Sequence, residues 1–141
     1  MWVPGVEVKS IAHDYLVSGY QTRVTDLLRL WAAEAVRSFD LAYFNVRDYD
    51  QSVQEKVTSE YITKVLPLNE ESEAGKSLRL IQQHFFVSCS LQDMIRIHLL
   101  REEGLDSFHE SFAVHLNDTH PAIAVSELMR LLVDDHHLPW D

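Results

Sequence analysis

The sequence predicts an α/β fold, and three stretches support that prediction. Residues 6–17 show a partial alternation of apolar and polar side chains, which is typical of β-strands. Residues 74–101 repeat apolar side chains every three or four positions, which is typical of an α-helix. Residues 112–135 predict a short apolar strand, a polar turn and a helix, and α/β proteins place ligands at such turns.

Composition limits the classes of function that this chain can serve. Its 141 residues suffice for one domain with a core, and the net charge of −10 argues against binding nucleic acid or an anionic membrane. The single cysteine, Cys89, excludes an internal disulfide framework and fits a reducing compartment. No apolar run reaches the roughly 20 residues of a membrane span, and the N-terminus shows no signal-peptide pattern. We therefore expect a cytoplasmic protein.

The first part of the chain is expected to form strands joined by a turn. Val6 to Val17 predicts one or two strands, and Ser18-Gly19 signals a turn. Residues 20–33 predict a further strand, although their periodicity alone does not exclude a helix. The core candidates in that segment are Val24, Leu27, Leu28, Leu30 and Trp31.

A polar helix is predicted over residues 49–63. Its apolar side chains recur every four positions and form a narrow stripe of Tyr49, Val53, Val57 and Tyr61. A helix this polar is rarely part of a core. The stripe therefore either meets a partner or lies in solvent.

The longest helix is predicted over residues 74–101, with Ser72 as its N-cap. At 1.5 Å per residue it would be roughly 40 Å long. Gly75-Lys76 is no phosphate-binding loop because the flanking residues do not match that motif, and Cys89 is expected to be a small core residue. The apolar face consists of Leu78, Ile81, Phe85, Ser88, Leu91, Ile95 and Leu99.

The turn Asn117-Asp118-Thr119-His120 is the leading candidate for a functional site. Pro121 suits the first turn of the following helix, because its missing amide hydrogen would have no partner there. A carboxylate at Asp118 is favoured in its charged form beside a helix N-terminus. Asp118 and His120 then either contact a ligand or only cap the turn. A metal site on the same pair is a third reading, but it requires a third and a fourth ligand.

The same stretch carries a family resemblance. Leu116 to Pro121, followed by Ala-Ile-Ala, a Glu-Leu-Met-Arg run and a closing Leu-Pro-Trp-Asp, resembles the α-glucan phosphorylases, which include glycogen, starch and maltodextrin phosphorylase. Gly19-Tyr20, with Arg29-Leu30-Trp31 about nine residues later, and the stretch 75–93 resemble the same family. The resemblance favours a strand over residues 20–33. It implies an internal fragment of the N-terminal domain, 1–141, with a partial Rossmann-like fold of GT-B type, a mixed sheet and long helices.

The resemblance also implies roles for individual residues. Asp118, His120 and Asn117 would line the glucan channel, and residues 67–73 would form a gate-like loop with Glu70 and Glu71 near the substrate. Many family members have Asp-Asn where this chain has Glu70-Glu71, and two adjacent carboxylates would repel phosphate. The helix over 49–63 corresponds to a tower helix that packs against its mate in a homodimer, which would place the stripe Tyr49, Val53, Val57 and Tyr61 at the interface.

One departure from the family pattern concerns regulation. Where allosterically regulated animal members have consecutive arginines, this chain has Arg96-Ile97. Loss of one of two guanidinium groups removes much of a site for a divalent anion. We therefore expect an enzyme without control by an effector phosphate.

The activity that the resemblance implies is phosphorolysis of α-1,4-glucan to glucose 1-phosphate by a homodimer that uses pyridoxal 5'-phosphate. In the family the lysine that holds this cofactor lies in the C-terminal domain, and Lys9, Lys56, Lys64 and Lys76 match no such motif. This chain alone is therefore expected to bind no cofactor, to contain no catalytic residue and to be inactive. Two other classes remain: half of a nucleotide-sugar glycosyltransferase, and a non-catalytic carbohydrate-binding or assembly module.

Overall fold

The computed structural model describes residues 7–36, 45, 49–65 and 72–140. These residues belong to two compact units, a hairpin unit within residues 7–65 and a helical unit within residues 72–140. The chain thus combines a two-stranded antiparallel sheet with helices, and among the described residues no mixed sheet is formed. None of the described helices is both long and apolar enough to cross a membrane.

The hairpin unit begins with two long strands, β1 (Val8–Ser18) and β2 (Thr25–Ala35). They pair antiparallel, with Val8 opposite Ala35 and Ser18 opposite Thr25. The second segment is therefore a strand and not a helix, but it begins at Thr25 and not at residue 20, because residues 19–24 form the turn.

Gly19 is required by the close approach of the chain in this turn. Its amide donates to the Val24 carbonyl at 3.1 Å. A Cβ atom at Gly19 would lie 2.5 Å from Thr22 Oγ1 and 3.3 Å from the Val24 oxygen, which is closer than packing permits. Any larger residue would have to push Thr22 aside.

Helix α1 (Tyr49–Lys64) packs against β2 within the same unit. Ile62 and Ser59 are buried, and so is Ala33 of the strand. Thr63 Oγ1 accepts a hydrogen bond from the Ala33 amide at 3.1 Å, which fastens the end of the helix to the strand. The face that α1 buries is therefore small and partly polar, as its sequence indicates.

The core predicted for the second strand is not formed. Val24, Leu27, Leu28 and Leu30 are 62, 51, 50 and 48% exposed, and Trp31 is half-buried. The physical reason lies in the described part of this unit, where a two-stranded sheet has two faces and one short-faced helix covers little of them. The apolar pattern of this segment predicted the strand correctly, but the prediction that its apolar side chains are buried was wrong.

Helix α2 (Glu73–Leu99) dominates the helical unit. Its predicted N-cap is present, since Ser72 Oγ accepts a hydrogen bond from the Gly75 amide at 3.1 Å. The face that α2 buries includes two of the predicted polar or small positions, Ser88 and Cys89, whereas Ile81 and Leu99 are exposed. The complete buried set of α2 is Gln82, Phe85, Ser88, Cys89, Leu91, Ile95 and His98.

The core of this unit lies between α2 and the segments that follow it. A short helix, α3 (Phe108–Ser111), returns the chain to α2. The buried His98 of α2 lies 3.1 Å from Ser111 Oγ through Nδ1, and its ring packs edge-to-face on Phe108. The buried cluster consists of Leu91, Ile95, Leu105, Phe108, Ala124 and Leu131.

The strand expected after residue 112 is not formed either. Phe112 is extended, but residues 112–117 join no sheet in the described chain and are mostly exposed. The alternation in Phe112-Ala113-Val114-His115-Leu116 suits a strand, but a strand forms only where another strand offers its hydrogen bonds.

A continuous helical run follows the polar turn. It begins as a 3₁₀ turn (His120–Ile123), continues as helix α4 (Ala124–Met129) and ends in a π-helical segment (Arg130–Asp135). Both the 3₁₀ turn and α4 contact α2. The run therefore carries the polar turn to the surface of the long helix.

Candidate functional site

The polar turn is built around a left-handed residue. Asp118 has a φ of 68°, a conformation that aspartate tolerates because its short side chain bonds locally. Its Oδ1 accepts hydrogen bonds from the amide and the hydroxyl of Thr119. The Ala122 amide then bonds to the Thr119 carbonyl at 3.1 Å and starts the helical run. Asp118 thus shapes the turn locally, but it provides no side-chain cap for the helical run, whose N-cap is Thr119.

The same carboxylate keeps a second oxygen for other partners. Asp118 Oδ2 lies 3.6 Å from His120 Nδ1, and both side chains are about half exposed. The hydrogen bond from the Thr119 amide, then that from the Thr119 hydroxyl and the nearby His120 ring, lower the pKa of Asp118. The turn therefore presents an ionised carboxylate and an imidazole side by side to solvent, which is a strong arrangement for hydrogen-bonding hydroxyl groups.

A groove joins this turn to α2. It has a volume of about 170 Å³, and its lining surface is largely apolar. The turn contributes His120 and Pro121 to the lining of the groove. Helix α2 contributes Arg79, Gln82, Gln83, Phe86 and Val87. An aromatic side chain with amide, guanidinium and imidazole groups around it is suited to a ligand that has both apolar faces and hydroxyl groups.

A buried network lies two turns further along the helical run. The Glu127 side chain of α4 is only 3% exposed. Its Oε1 accepts a hydrogen bond from Ser88 Oγ of α2 at 2.6 Å, and Arg130 Nε donates to its Oε2 at 2.8 Å. His84 Nε2 of α2 lies 3.4 Å from the same Oε2. The carboxylate therefore has partners on both helices.

The network extends outward from Glu127 in two directions. Gln92 of α2 donates to Ser88 Oγ at 2.8 Å. Arg130 uses its remaining nitrogen, Nη1, to bind Asp135 at 2.8 Å, at the end of the π-helical segment. Each polar group thus has a bonded neighbour, which a buried charge requires.

Electrostatics favours the charged forms of both Glu127 and Arg130. Burial opposes ionisation of Glu127 and raises its pKa, but hydrogen bonds from Arg130 and Ser88, with the charges of Arg130 and the nearby His84, outweigh it and lower the pKa to about 2. The hydrogen bond to Glu127 and its charge raise the pKa of Arg130 above its usual range. The pair is therefore ionised throughout the physiological range.

Among the other residues predicted to bind substrate, Asn117 does not line this groove. Asn117 is exposed in the turn, whereas Glu70 and Glu71 lie outside the described residues, as does most of the gate-like loop. In the hairpin unit, Val53 and Val57 are each 37% exposed and Tyr61 is 52% exposed, so this part of the α1 stripe faces solvent. The side chain of Tyr49 also lies outside the described residues.

Sequence reasoning missed the groove residues of α2 and the network at Glu127. The apolar period of α2 drew attention to Leu78 and Ile81, yet the side chains facing the turn include Arg79 and Gln82. Glu127 had one available signal: a carboxylate between the apolar positions of a helix, with an arginine three residues later. That spacing alone does not reveal burial.

Among the described residues, no metal centre is formed, and a second cavity contains none of the described substrate-binding candidates. In the described part of the chain, no group of three His, Cys, Asp or Glu side chains is placed to hold a metal ion. A larger cavity of about 430 Å³ in the hairpin unit is lined by β2 and by Lys56, Glu60, Thr63 and Lys64 of α1. None of the predicted substrate-binding residues lines it.

Comparison with known proteins identifies a family over the whole chain. The family model described as carbohydrate phosphorylase matches residues 1–141. A glycogen phosphorylase of Synechocystis is 58% identical over 139 residues, which cover 99% of this chain and 16% of that protein. A glycogen phosphorylase of Pasteurella multocida is 41% identical, and the human liver form is 40% identical; each match covers 99% of this chain and 17% of the relative. The chain thus spans about one sixth of the length of these relatives.

Proposed function

Because this chain belongs to the carbohydrate phosphorylase family, we propose that it is part of an α-1,4-glucan phosphorylase. That enzyme removes a terminal glucose from glycogen or maltodextrin with phosphate and releases glucose 1-phosphate. The names of the relatives support this activity over a nucleotide-sugar glycosyltransferase and over a non-catalytic carbohydrate-binding module. Since the chain spans about one sixth of those relatives, it supplies one portion of the enzyme.

The observation that carries the proposal is the groove between the polar turn and α2. His120 lines it, and the ionised Asp118 stands beside His120. Sugars offer hydroxyl groups for carboxylates and imidazoles and apolar faces for aromatic rings such as Phe86. We assign Asp118 and His120 to one wall of the glucan channel, where they orient hydroxyl groups or bound water. The exposed Asn117 of the same turn is assigned to that wall as well.

Other segments have proposed roles in the complete enzyme. The exposed stripe of Val53, Val57 and Tyr61, with Tyr49, is assigned to a homodimer interface. Residues 67–73, with Glu70 and Glu71, are assigned to the gate of the channel. The hairpin and helices are assigned to a partial Rossmann-like domain of GT-B type, whose missing elements would cover the apolar faces of the hairpin.

Pyridoxal 5'-phosphate is assigned to another portion of the enzyme. When bound, it supplies a phosphate group that acts on the substrate phosphate, and it requires a lysine held in a pocket. All four lysines of this chain are exposed, and Lys9, Lys64 and Lys76 pair with carboxylates of their own elements or hairpin. Lys56 and Lys64 line the cavity of the hairpin unit but are exposed to solvent, so we assign attachment of the cofactor to no lysine of this chain.

The absence of paired arginines supports an enzyme without effector control. Arg96 is followed by Ile97 and already binds Asp93 through Nη2 at 2.7 Å. A lone guanidinium that is engaged by a carboxylate offers little to a phosphate.

The proposal is tested by glucose 1-phosphate release from maltoheptaose and phosphate in the full-length protein that contains this chain. Asp118→Asn and His120→Ala are expected to lower kcat/KM by about tenfold or more, roughly 1.4 kcal/mol of transition-state stabilisation. His109→Ala is the matched control, because His109 is an exposed histidine beside a carboxylate, outside the groove. It should leave the rate unchanged.

Two results would contradict the proposal at different levels. An inactive wild-type protein, with pyridoxal 5'-phosphate present, would exclude the phosphorylase activity. Full activity in both turn variants would keep the activity but reduce Asp118 and His120 to groups that shape the turn.

A further inference from the structure

The Glu127 network forms a buried polar link between the helical run and α2, beside the apolar core that the two elements share. Ser88 Oγ of α2 donates to Glu127 Oε1 at 2.6 Å, and His84 Nε2 of α2 approaches Glu127 Oε2 at 3.4 Å. The Glu127 side chain is 3% exposed. A buried carboxylate is costly to move away from its partners. This contact therefore opposes sliding or rotation of α4 on α2, in addition to the apolar packing of Ala124 and Leu131 in the core.

The spacing along the run connects this point to the polar turn. His120 and Glu127 are seven residues apart, which is close to two helical turns, so both lie on the side that faces α2. The α2 residues that they meet lie in one short stretch of that helix. His120 shares the groove with residues from Arg79 to Val87, and Glu127 meets His84 and Ser88.

The start of the run, at His120, and its middle, at Glu127, are held very differently. The His120 side chain is about half exposed and pairs with Asp118 of its own turn. The groove beneath it is open and largely apolar. Glu127, by contrast, is enclosed by hydrogen-bond donors, and Arg130 donates two hydrogen bonds to its carboxylate at 2.8 and 2.9 Å. The polar turn is therefore less enclosed by protein contacts than the segment around Glu127.

We propose that Glu127 is a positioning residue that sets where His120 and Asp118 stand over the α2 groove, through its cross-helix bond to Ser88. It does not touch the substrate. The expected effect on activity rests on the proposed function, whereas the expected effect on the placement of the polar turn does not. Arg130 belongs to the same helical run and holds the Glu127 carboxylate in its orientation.

The test uses the full-length protein and three single variants. Glu127→Gln keeps the shape but removes the charge. Ser88→Ala removes the cross-helix bond and the bond that Gln92 donates to Ser88, but it leaves the Glu127–Arg130 pair. It is therefore the variant to use if Glu127→Gln fails to fold. Asp135→Asn is the matched control, because it removes an exposed carboxylate from the same network without touching the link to α2.

The first readout is a double-mutant cycle on kcat/KM with maltoheptaose and phosphate. We expect Glu127→Gln or Ser88→Ala alone to lower kcat/KM by about tenfold relative to the wild type. In a protein that already carries His120→Ala, the same substitution should lower kcat/KM by less than about threefold. The reason is that a residue that acts through His120 contributes little to kcat/KM once the His120 imidazole has been removed. A further loss of about tenfold in the double variant would overturn the proposal, since a general structural defect multiplies with the loss of His120.

The second readout does not depend on activity. Hydrogen–deuterium exchange should become at least about twofold faster in peptides over 117–129 of Glu127→Gln or Ser88→Ala, with α3 and the α2 residues 89–99 unchanged. Unchanged exchange at the turn, or faster exchange throughout the helical unit, would overturn the proposal. If the wild-type protein performs no phosphorolysis, the proposed function fails, and this exchange result alone decides the positioning role.

Discussion

The hairpin unit and the helical unit both contain periodic apolar side chains, but these are largely exposed in the hairpin unit and buried in the helical unit. In the helical unit, Leu91, Ile95 and Leu131 are only 3–4% exposed, because the α2 face meets segments that follow it in the chain. In the hairpin unit, Leu16 is 76% exposed and Leu28 is 50% exposed. The comparison teaches that periodicity identifies a face that needs a partner, whereas burial depends on whether the partner lies within the same chain.

The sharpest way to break this comparison is to shorten one side chain in each unit. Ile95→Ala should destabilise the chain by about 2–5 kcal/mol, since it removes buried methyl groups and leaves a cavity in the core. Leu28→Ala should change the free energy of unfolding by less than about 0.5 kcal/mol, because half of Leu28 is already in water. Urea unfolding followed by circular dichroism measures both. Equal losses in the two variants would show that the hairpin face is buried in solution.

The second prediction compares a buried ion pair with an exposed one. The pKa of Glu127 falls from its ordinary value of 4.5 to about 2. A lowered folded-state pKa contributes stability that is complete above the unfolded value and is lost as the pH falls through the folded one. Between about pH 4.5 and about 2, the wild type should therefore lose on the order of 3 kcal/mol of unfolding free energy from this group.

Two variants separate this contribution from other carboxylates. Glu127→Gln should be less stable at pH 7 and should show a flatter decline of unfolding free energy with acid. In the hairpin unit, Arg29 binds Asp14 through two nitrogens at 2.6 Å and lowers its pKa, but Asp14 is exposed to solvent. Asp14→Asn should therefore flatten the acid decline much less. An equal effect of both substitutions would contradict the role of burial.

The smallest expected effect concerns the start of α2. Ser72→Ala removes the side-chain cap on the Gly75 amide and should cost about 0.5–2 kcal/mol of helix stability. Ser77→Ala is the matched control, because Ser77 is exposed inside the same helix and alanine favours helix there. Thermal unfolding midpoints should fall for the first and stay level or rise for the second. A fall in both would point away from capping.

Much of the architecture follows from local patterns. The turn at Ser18-Gly19, the cap at Ser72 and the start of the run at Pro121 depend on a few neighbouring residues, and each is present in the structure. The strand expected at 112–116 failed because pairing requires a second strand, which local alternation does not supply. The candidate site divides in the same way. Asp118 and His120 were visible in the sequence, whereas Arg79 and Gln82 join them only through the contact of two helices.

The sequence by itself determined the elements of this protein, its family resemblance and the polar turn at 117–120, because caps, turns and helical periods act over a few residues. Only the tertiary structure decided which apolar faces are buried and which polar groups meet. Ser88 and Glu127 are 39 residues apart in the chain and 2.6 Å apart in space. Such a pair forms because burial removes water from both groups and leaves each as the other's partner, and no local pattern in either helix specifies it.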